Sequence, residues 1–261
     1  MISSVLVELA EDPEFFIEPP DGSQRIAQDS YCLIIGPRRR WAGVCRLRLQ
    51  QRPEEVARVV EEIGRIVAGI DIVVWNVGSS VTPDDLPGRL RELGLRDPDP
   101  PMDVVCAGMA LAAEPPAVTG VDVRRIATLE EHRAGLEIVL TASDWEPGTA
   151  ADERARAAET FERRTRRGGH QWLAWVDGEP VAFGLAEPTP AGLYLAGGAT
   201  LPQARGRGCY RALVRARWDE AVRLGTPGLA VQAQHGTSAP ILSKLGFTQV
   251  ASVNTLQSPA T

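Results

Sequence analysis

A strand-like apolar run, Leu193 to Leu201, leads into Gln203-Ala204-Arg205-Gly206-Arg207-Gly208, and a long amphipathic stretch, Cys209 to Leu224, follows. No other segment restricts the fold as tightly. Two glycines at this spacing let the backbone turn sharply and approach a ligand with no Cβ in the way. A helix that begins here aims its unpaired N–H groups, and the positive end of its dipole, back into the turn. Such a junction is an anion site suited to a pyrophosphate. The segment therefore predicts a phosphate cradle at a strand-to-helix turn and points to a phosphate-bearing cofactor.

The 261 residues, 44% of them hydrophobic, are enough for a sizeable core and fit two ordinary domains better than one. The formal charge of -6 is opposite to the balance of a chain that wraps nucleic acid, so no nucleic-acid partner is expected. Two basic runs, Arg38-Arg39-Arg40 and Arg163 to Arg167, read as solvated surface at a hairpin loop and a helix end. Cys32, Cys45, Cys106 and Cys209 are scattered, with no Cys-x-x-Cys pair, and His132, His170 and His235 show no metal-ligand spacing. No metal is expected. The run Met1 to Ala10 is too short for a signal peptide, and no segment has the length of a membrane span. The expected setting is the cytoplasm, without membrane association.

Asp97-Pro98-Asp99-Pro100-Pro101 is a turn-rich break, and Pro115-Pro116 cannot sit inside a helix or a central strand. A domain border is expected near Pro116 to Gly120, giving domains 1–118 and 119–261. In the first, Tyr31–Gly36 and Trp41–Leu49 read as paired strands, and Glu54–Ala68 as a helix with Val56, Val59, Val60, Ile63 and Val67 on one side. Ile70–Val77 reads as a strand, and a helix follows Thr82-Pro83-Asp84-Asp85 and stops at Gly94. Val104–Ala112 is strand-like.

In the second, Asp122–Ile126 reads as a strand, and Leu129–Leu140 and Ala151–Arg167 as helices. Trp172–Val176, Asp177-Gly178 and Val181–Glu187 form a hairpin signature. After the glycine turn and its helix come a strand at Leu229–Ala233, a short helix at Ala239–Leu245 and a strand at Phe247–Val253. The tail after Asn254 is expected to be loose. The halves echo each other. Gly78-Ser79-Ser80, Pro83, Leu90 and Leu93-Gly94-Leu95 parallel Gly236-Thr237-Ser238, Pro240, Leu242 and Leu245-Gly246-Phe247.

The second half resembles the GCN5-related N-acetyltransferase family over about Val121 to Val253. Gln203-Ala204-Arg205-Gly206-Arg207-Gly208 matches the family's Gln/Arg-x-x-Gly-x-Gly/Ala, and Leu229–Ala233 with Pro240 to Phe247 matches its strand, loop and helix ending in Leu-Gly-Phe. The first half looks like a degenerate copy without the glycine turn. The implied fold class is α/β (α+β): two such domains in tandem, each a mixed, mostly antiparallel sheet flanked by helices.

The resemblance implies acyl transfer from acetyl-CoA, or another acyl-CoA, to a primary amine of a small molecule or peptide, by direct attack in a ternary complex. Ala199, Thr200 and Leu201 would pair with pantetheine through their backbone. Gln203, Ala204, Arg205, Gly206, Arg207, Gly208, Cys209 and Tyr210 would hold the pyrophosphate, largely through N–H groups. Where the family often carries a thiolate-protonating tyrosine, this chain has Leu242. Glu187 and His235 are the candidate general bases.

Cys209, at a helix start that can lower a thiol's pKa, reads as a small apolar filler. The alternative reading is a non-catalytic acyl-CoA-sensing or protein-interaction module on the same fold. The chain is expected to act as a monomer or homodimer.

Overall fold

The computed structural model describes residues 1–98, 104–143 and 147–259; part of the break at Asp97–Pro101 lies outside them. The chain opens with α1 (Ser4–Glu11) and α2 (Pro13–Phe16), then β1 (Gln24–Ala27), β2 (Cys32–Ile35), β3 (Trp41–Cys45), α3 (Pro53–Ile66), β4 (Ile72–Gly78), α4 (Leu86–Glu92) and β5 (Val105–Leu111). It continues with β6 (Asp122–Arg125), α5 (Leu129–Ala142), α6 (Pro147–Ala155), α7 (Ala157–Arg166), β7 (Gln171–Val176), β8 (Glu179–Thr189), β9 (Gly192–Thr200), α8 (Cys209–Arg223), β10 (Leu229–Gln234), α9 (Ser238–Ser243) and β11 (Thr248–Gln257).

Local chemistry accounts for most of these elements. Thr128 and Glu131 form a reciprocal capping box that starts α5. Asp177 and Gly178, both at positive φ (54° and 84°), make the tight turn of the β7–β8 hairpin. Val56, Val59, Ile63 and Val67 recur at helical spacing and bury one face of α3 against Leu33, Val44, Trp75 and Leu256.

The order β1–β2–β3–α3–β4–α4–β5 recurs as β7–β8–β9–α8–β10–α9–β11. The echo extends to the helix ends. Gly94 and Gly246 both have φ of 94°. Leu95 donates to the Leu90 carbonyl at 3.0 Å, and Phe247 to that of Leu242 at 3.1 Å. The same left-handed glycine stop, with its backward bond, closes α4 and α9.

The chain divides into two compact units, Met1–Ala110 with Ala230–Thr261, and Leu111–Leu229. In the first the strand order is β1-β2-β3-β4-β11-β5-β10, and in the second β9-β8-β7-β6. The pairs described are antiparallel except β3–β4, so the sheets are mixed but mostly antiparallel.

This division differs from the halves 1–118 and 119–261. The last strand, β11, lies between β4 and β5 and pairs with both, which ties the chain's end to its first half. The same pairing corrects the loose tail. Leu256 and Gln257 stand opposite Trp75 and Val74, and Ser258 accepts a bond from the Trp75 indole. Local pattern could not show this, because the partner strand is about 180 residues away.

The helix expected over Ala151–Arg167 is broken at Arg156, which separates α6 from α7. Helices α1 and α2 and strand β1 were not anticipated. Among the described residues no helix is long and apolar enough to cross a membrane.

Candidate functional site

The glycine turn forms as its sequence predicts. Strand β9 ends at Thr200, Pro202–Ala204 make a short 3-10 turn, and Gly206 and Gly208 take φ of 79° and 85°. Gly208 is the left-handed residue from which α8 starts. A side chain at either glycine would force strained backbone. A Cβ on Gly206 would meet nothing within 4 Å, so the turn has open space in front of it.

Three expected donors are already engaged, the first being Ala204 N–H, which bonds to the Leu201 carbonyl at 2.9 Å. Arg205 N–H bonds to the Pro202 carbonyl at 3.3 Å and Arg207 N–H to that of Ala204 at 3.4 Å. The donors left by helix geometry are the first N–H groups of α8, at Cys209, Tyr210 and Arg211. Gln203, Arg205, Gly206 and Arg207 are exposed, and Ala204 and Cys209 are buried. The Arg207 guanidinium is drawn 2.9 Å from the Asp177 carboxylate of the β7–β8 turn. Burial raises the Cys209 thiol pKa, opposite to the lowering expected of a reactive thiol at a helix start.

The strand leading into the turn is oriented by its ladder. Leu201 N–H bonds to the Val181 carbonyl at 3.0 Å, and Ala199 stands opposite Phe183. By antiparallel alternation the polar groups of Ala199 and Leu201 face β8, while those of Gly198 and Thr200 face away from it. The side chains of Ala199 and Leu201 pack with Phe183 and Ile138 on the α5 side. On the other side Tyr210 leans over Gly198, where a Cβ would lie 3.2 Å from its ring.

Beneath Tyr210 is Arg217, at 0% exposure. Its guanidinium donates to the carbonyls of Leu213 (3.0 Å), Gly197 (3.3 Å) and Leu185 (3.4 Å), with its centre 5.7 Å from the Tyr210 ring. The β8–β9 register shifts just after Leu185, and Arg217 adds a donor to the Leu185 and Gly197 carbonyls beside it. Burial lowers its pKa, and its Nη2 has no partner.

On the α5 side of β8 lies a cavity of about 160 Å³. Leu136, Val139, Ala157, Phe183 and Leu185 give it apolar walls, and Glu153, Thr160, Arg164, His132 and Gln171 add polar groups. His132 is buried at 7% exposure, and its Nδ1 lies 2.9 Å from Gln171 Oε1. With that oxygen as acceptor the ring proton sits on Nδ1, and Nε2 keeps its lone pair. Burial, followed by the charges of Arg164 and Arg163, lowers the His132 pKa despite the bond to Gln171.

The two bases expected from sequence sit elsewhere. Glu187 is inside β8, not at its end, and its carboxylate is held in an ion pair with Arg164. His235 is exposed in the turn after β10, in the unit that contains β10 and β11. Leu242 is fully buried in α9. Among the described residues no cluster of three or more His, Cys, Asp or Glu side chains has a metal-holding arrangement.

Residues 138–247 match the model of the acetyltransferase (GNAT) family. This stretch resembles a GNAT domain. It contains the end of α5, the helices α6 and α7, the β8–β9 pair, the glycine turn and α8, while His132 and Leu136 precede it. The solved structures extend the likeness to almost the whole chain. A GCN5-related N-acetyltransferase from Kribbella flavida superposes with a TM-score of 0.72 at 18% identity, covering 98% of this chain and 96% of that one.

A GCN5-related N-acetyltransferase from Sphaerobacter thermophilus gives 0.60 at 19%, covering 89% and 82%. A tandem GNAT protein from the clavulanic acid biosynthesis pathway gives 0.63 at 15%, covering 97% and 87%. At these identities the shared property is the fold, and it is a tandem GNAT architecture. None of the curated proteins compared with the chain matches it.

Sequence reasoning found the GNAT turn but missed Arg217 and the cavity group. Arg217 had left a signal: it is the one charged position in the run Leu213, Val214, Arg217, Trp218, Ala221, which is otherwise an apolar helical stripe. His132, Glu153, Arg164 and Gln171 carry no shared spacing, and only packing brings them to one cavity.

Proposed function

We propose that the chain is an N-acyltransferase that uses acetyl-CoA, or a similar acyl-CoA, and acylates an amine by direct attack. The observation that carries this reading is the left-handed turn at Gly206 and Gly208, open in front of Gly206 and backed by the 15-residue helix α8. The first N–H groups of α8 would hold the pyrophosphate. Thr200 and Gly198, whose polar groups face away from β8, would pair with pantetheine.

The bound donor supplies an activated thioester carbonyl. A backbone N–H of β9, with Thr200 the best placed, would stabilise the charge that gathers on the carbonyl oxygen. The amine nitrogen bonds to the acyl carbon as the carbon–sulfur bond breaks, and the amine gives up a proton. His132 is the best supported acceptor of that proton. It is neutral, buried and on the cavity wall, whereas Glu187 is committed to Arg164 and His235 is exposed. Solvent would protonate the departing thiolate, since Leu242 has no proton to give.

Leu242 also supports a second reading, an acyl-CoA-sensing module without turnover. Calorimetric titration with acetyl-CoA, followed by thiol release in the presence of amines, separates the two. Saturable binding at one site with amine-dependent thiol release is the expected result. Binding without release for any amine would favour the sensing module, and no binding by folded protein would overturn both.

A further inference from the structure

The cavity on the α5 side of β8 has a composition that discriminates between kinds of amine. Its volume of about 160 Å³ is close to that of an engineered apolar cavity known to take benzene, roughly 150 Å³. Leu136, Val139, Ala157, Phe183 and Leu185 offer a guest no hydrogen bond. The polar groups on the wall are mostly spoken for. His132 is bonded to Gln171, Arg164 to Glu187, and the Thr160 hydroxyl accepts from Arg163 at 3.4 Å.

Glu153 differs from these. Among the described residues its carboxylate has no hydrogen bond or ion pair, and the adjacent Arg154 is turned away to Glu137 at 2.7 and 2.9 Å. Phe183 and Leu185 line the cavity from the same side of β8 on which Ala199 packs, so the cavity and the end of β9 share one face of the sheet.

We infer that this cavity takes a primary amine carried on a compact apolar body, an aralkylamine or branched alkylamine, with Glu153 as the counter-charge that draws in the ammonium group. The inference rests on the acyl-transfer reading above and narrows its acceptor. A sugar amine would bring hydroxyls that the five apolar walls leave unpaired, at a large cost in binding. A polyamine would find one uncommitted carboxylate for several charges and would meet the repulsion of Arg163 and Arg164. A peptide lysine would have to thread a polar backbone towards a cavity of benzene size.

The test compares phenethylamine and isoamylamine with spermidine, glucosamine and a blocked lysine amide, by thiol release from acetyl-CoA. The first two should show kcat/KM at least about tenfold above the rest. Leu136→Trp, which fills the cavity, should abolish that advantage and leave the acetyl-CoA Kd unchanged. If Leu136→Trp does not fold, as judged by circular dichroism, Ala157→Leu replaces it. Glu153→Gln, at a half-buried position, should raise KM for phenethylamine about tenfold with little change in kcat.

A preference for spermidine, glucosamine or the lysine amide would overturn the inference, as would indifference to a filled cavity. Phenethylamine binding to the free chain is measured in parallel by calorimetry. If acetyl-CoA fails to bind but phenethylamine binds and Leu136→Trp removes it, the cavity assignment stands and the acyl-transfer reading falls. If acetyl-CoA binds and phenethylamine does not, the amine class is wrong and the donor reading stands.

Discussion

The chain contains the same strand-to-helix junction twice, and the two copies have opposite fates. Between β9 and α8, two left-handed glycines keep a turn open and present helix N–H groups to it. Between β3 and α3 the chain runs Arg46-Leu47-Arg48-Leu49-Gln50-Gln51-Arg52, with no glycine. That junction is closed. Leu49 N–H bonds to the Thr82 carbonyl at 2.9 Å, Thr82 N–H to that of Leu47 at 3.4 Å, and the Thr82 hydroxyl to that of Leu49 at 2.9 Å. Leu47 and Leu49 fill the core.

The chain's own carboxylates take backbone donors there and in the loop after β4. Asp12 accepts from Arg46 N–H at 2.8 Å, and Glu11 accepts from Ser80 N–H at 2.6 Å. Two repeats of one element order thus diverge by what satisfies the junction's N–H groups. At the first junction Asp12 takes the Arg46 N–H and the Thr82 carbonyl takes that of Leu49, whereas at the second the first N–H groups of α8 have no partner within the helix.

The sharpest way to break this comparison is Gly206→Asp. The left-handed backbone resists any side chain, and the carboxylate would sit where an anion is expected. Acetyl-CoA affinity should fall more than about 100-fold, roughly 3 kcal/mol. Calorimetry checks it, and the stoichiometry of the unaltered chain should be one, since the first junction has no free cradle. A stoichiometry of two would end the contrast.

Asp12→Asn probes the carboxylate that closes the first junction. Burial raises its pKa from 3.8 to about 7. Arg48, 3.7 Å away and partly exposed, does not offset that desolvation. The folded state therefore holds a proton that the unfolded state loses first, and Asp12 costs stability progressively as pH rises from about 4 to about 7. The asparagine variant should be about 2 kcal/mol more stable at pH 8 and no more stable at pH 4. Thermal unfolding at the two pH values measures it, and acetyl-CoA binding should not change.

The second junction has its own support. Replacing Arg217 by Met removes its donors from the Leu185 and Gly197 carbonyls beside the β8–β9 register shift. Stability should move little, because an unpaired buried charge is removed along with the bonds. The Kd for acetyl-CoA should rise about tenfold as β9 loosens, roughly 1.4 kcal/mol. An unchanged Kd would mean that the turn does not depend on the strand behind it.

The pH dependence of turnover tests the proposed base. His132 has a lowered pKa, so it stays neutral to below the usual histidine value of 6.5, and kcat should lose activity only on the acid side of that value. His132 and His170 are both depressed by burial, so the unfolded chain binds protons first, and stability should fall as pH drops below about 6.5. The smallest effect belongs to Thr82→Ala. Losing one bond to Leu49 should cost about 1 kcal/mol of stability and leave binding unaffected.

Much of this contrast was legible in the sequence. The glycine pair at 206 and 208, and its absence after β3, marked one half for a left-handed turn and the other as lacking it. The Leu-Gly endings at 94 and 246 anticipated the two identical helix stops. The missing parts were non-local. Helix α1 was not foreseen, and its end supplies Glu11 and Asp12 to the loops after β3 and β4. The break at Arg156 has no glycine or proline to announce it.

The sequence by itself determined the turn, the helix caps, the hairpin and the order of elements. These depend on backbone preferences and periodicities within a few residues. Tertiary structure alone decided that β11 joins β4 and β5, that Arg217 is buried against the β8–β9 register shift, and that His132, Glu153, Arg164 and Gln171 meet at one cavity. Strand pairing and packing are satisfied by partners tens to hundreds of residues away. Nothing in the local spacing records which partner wins.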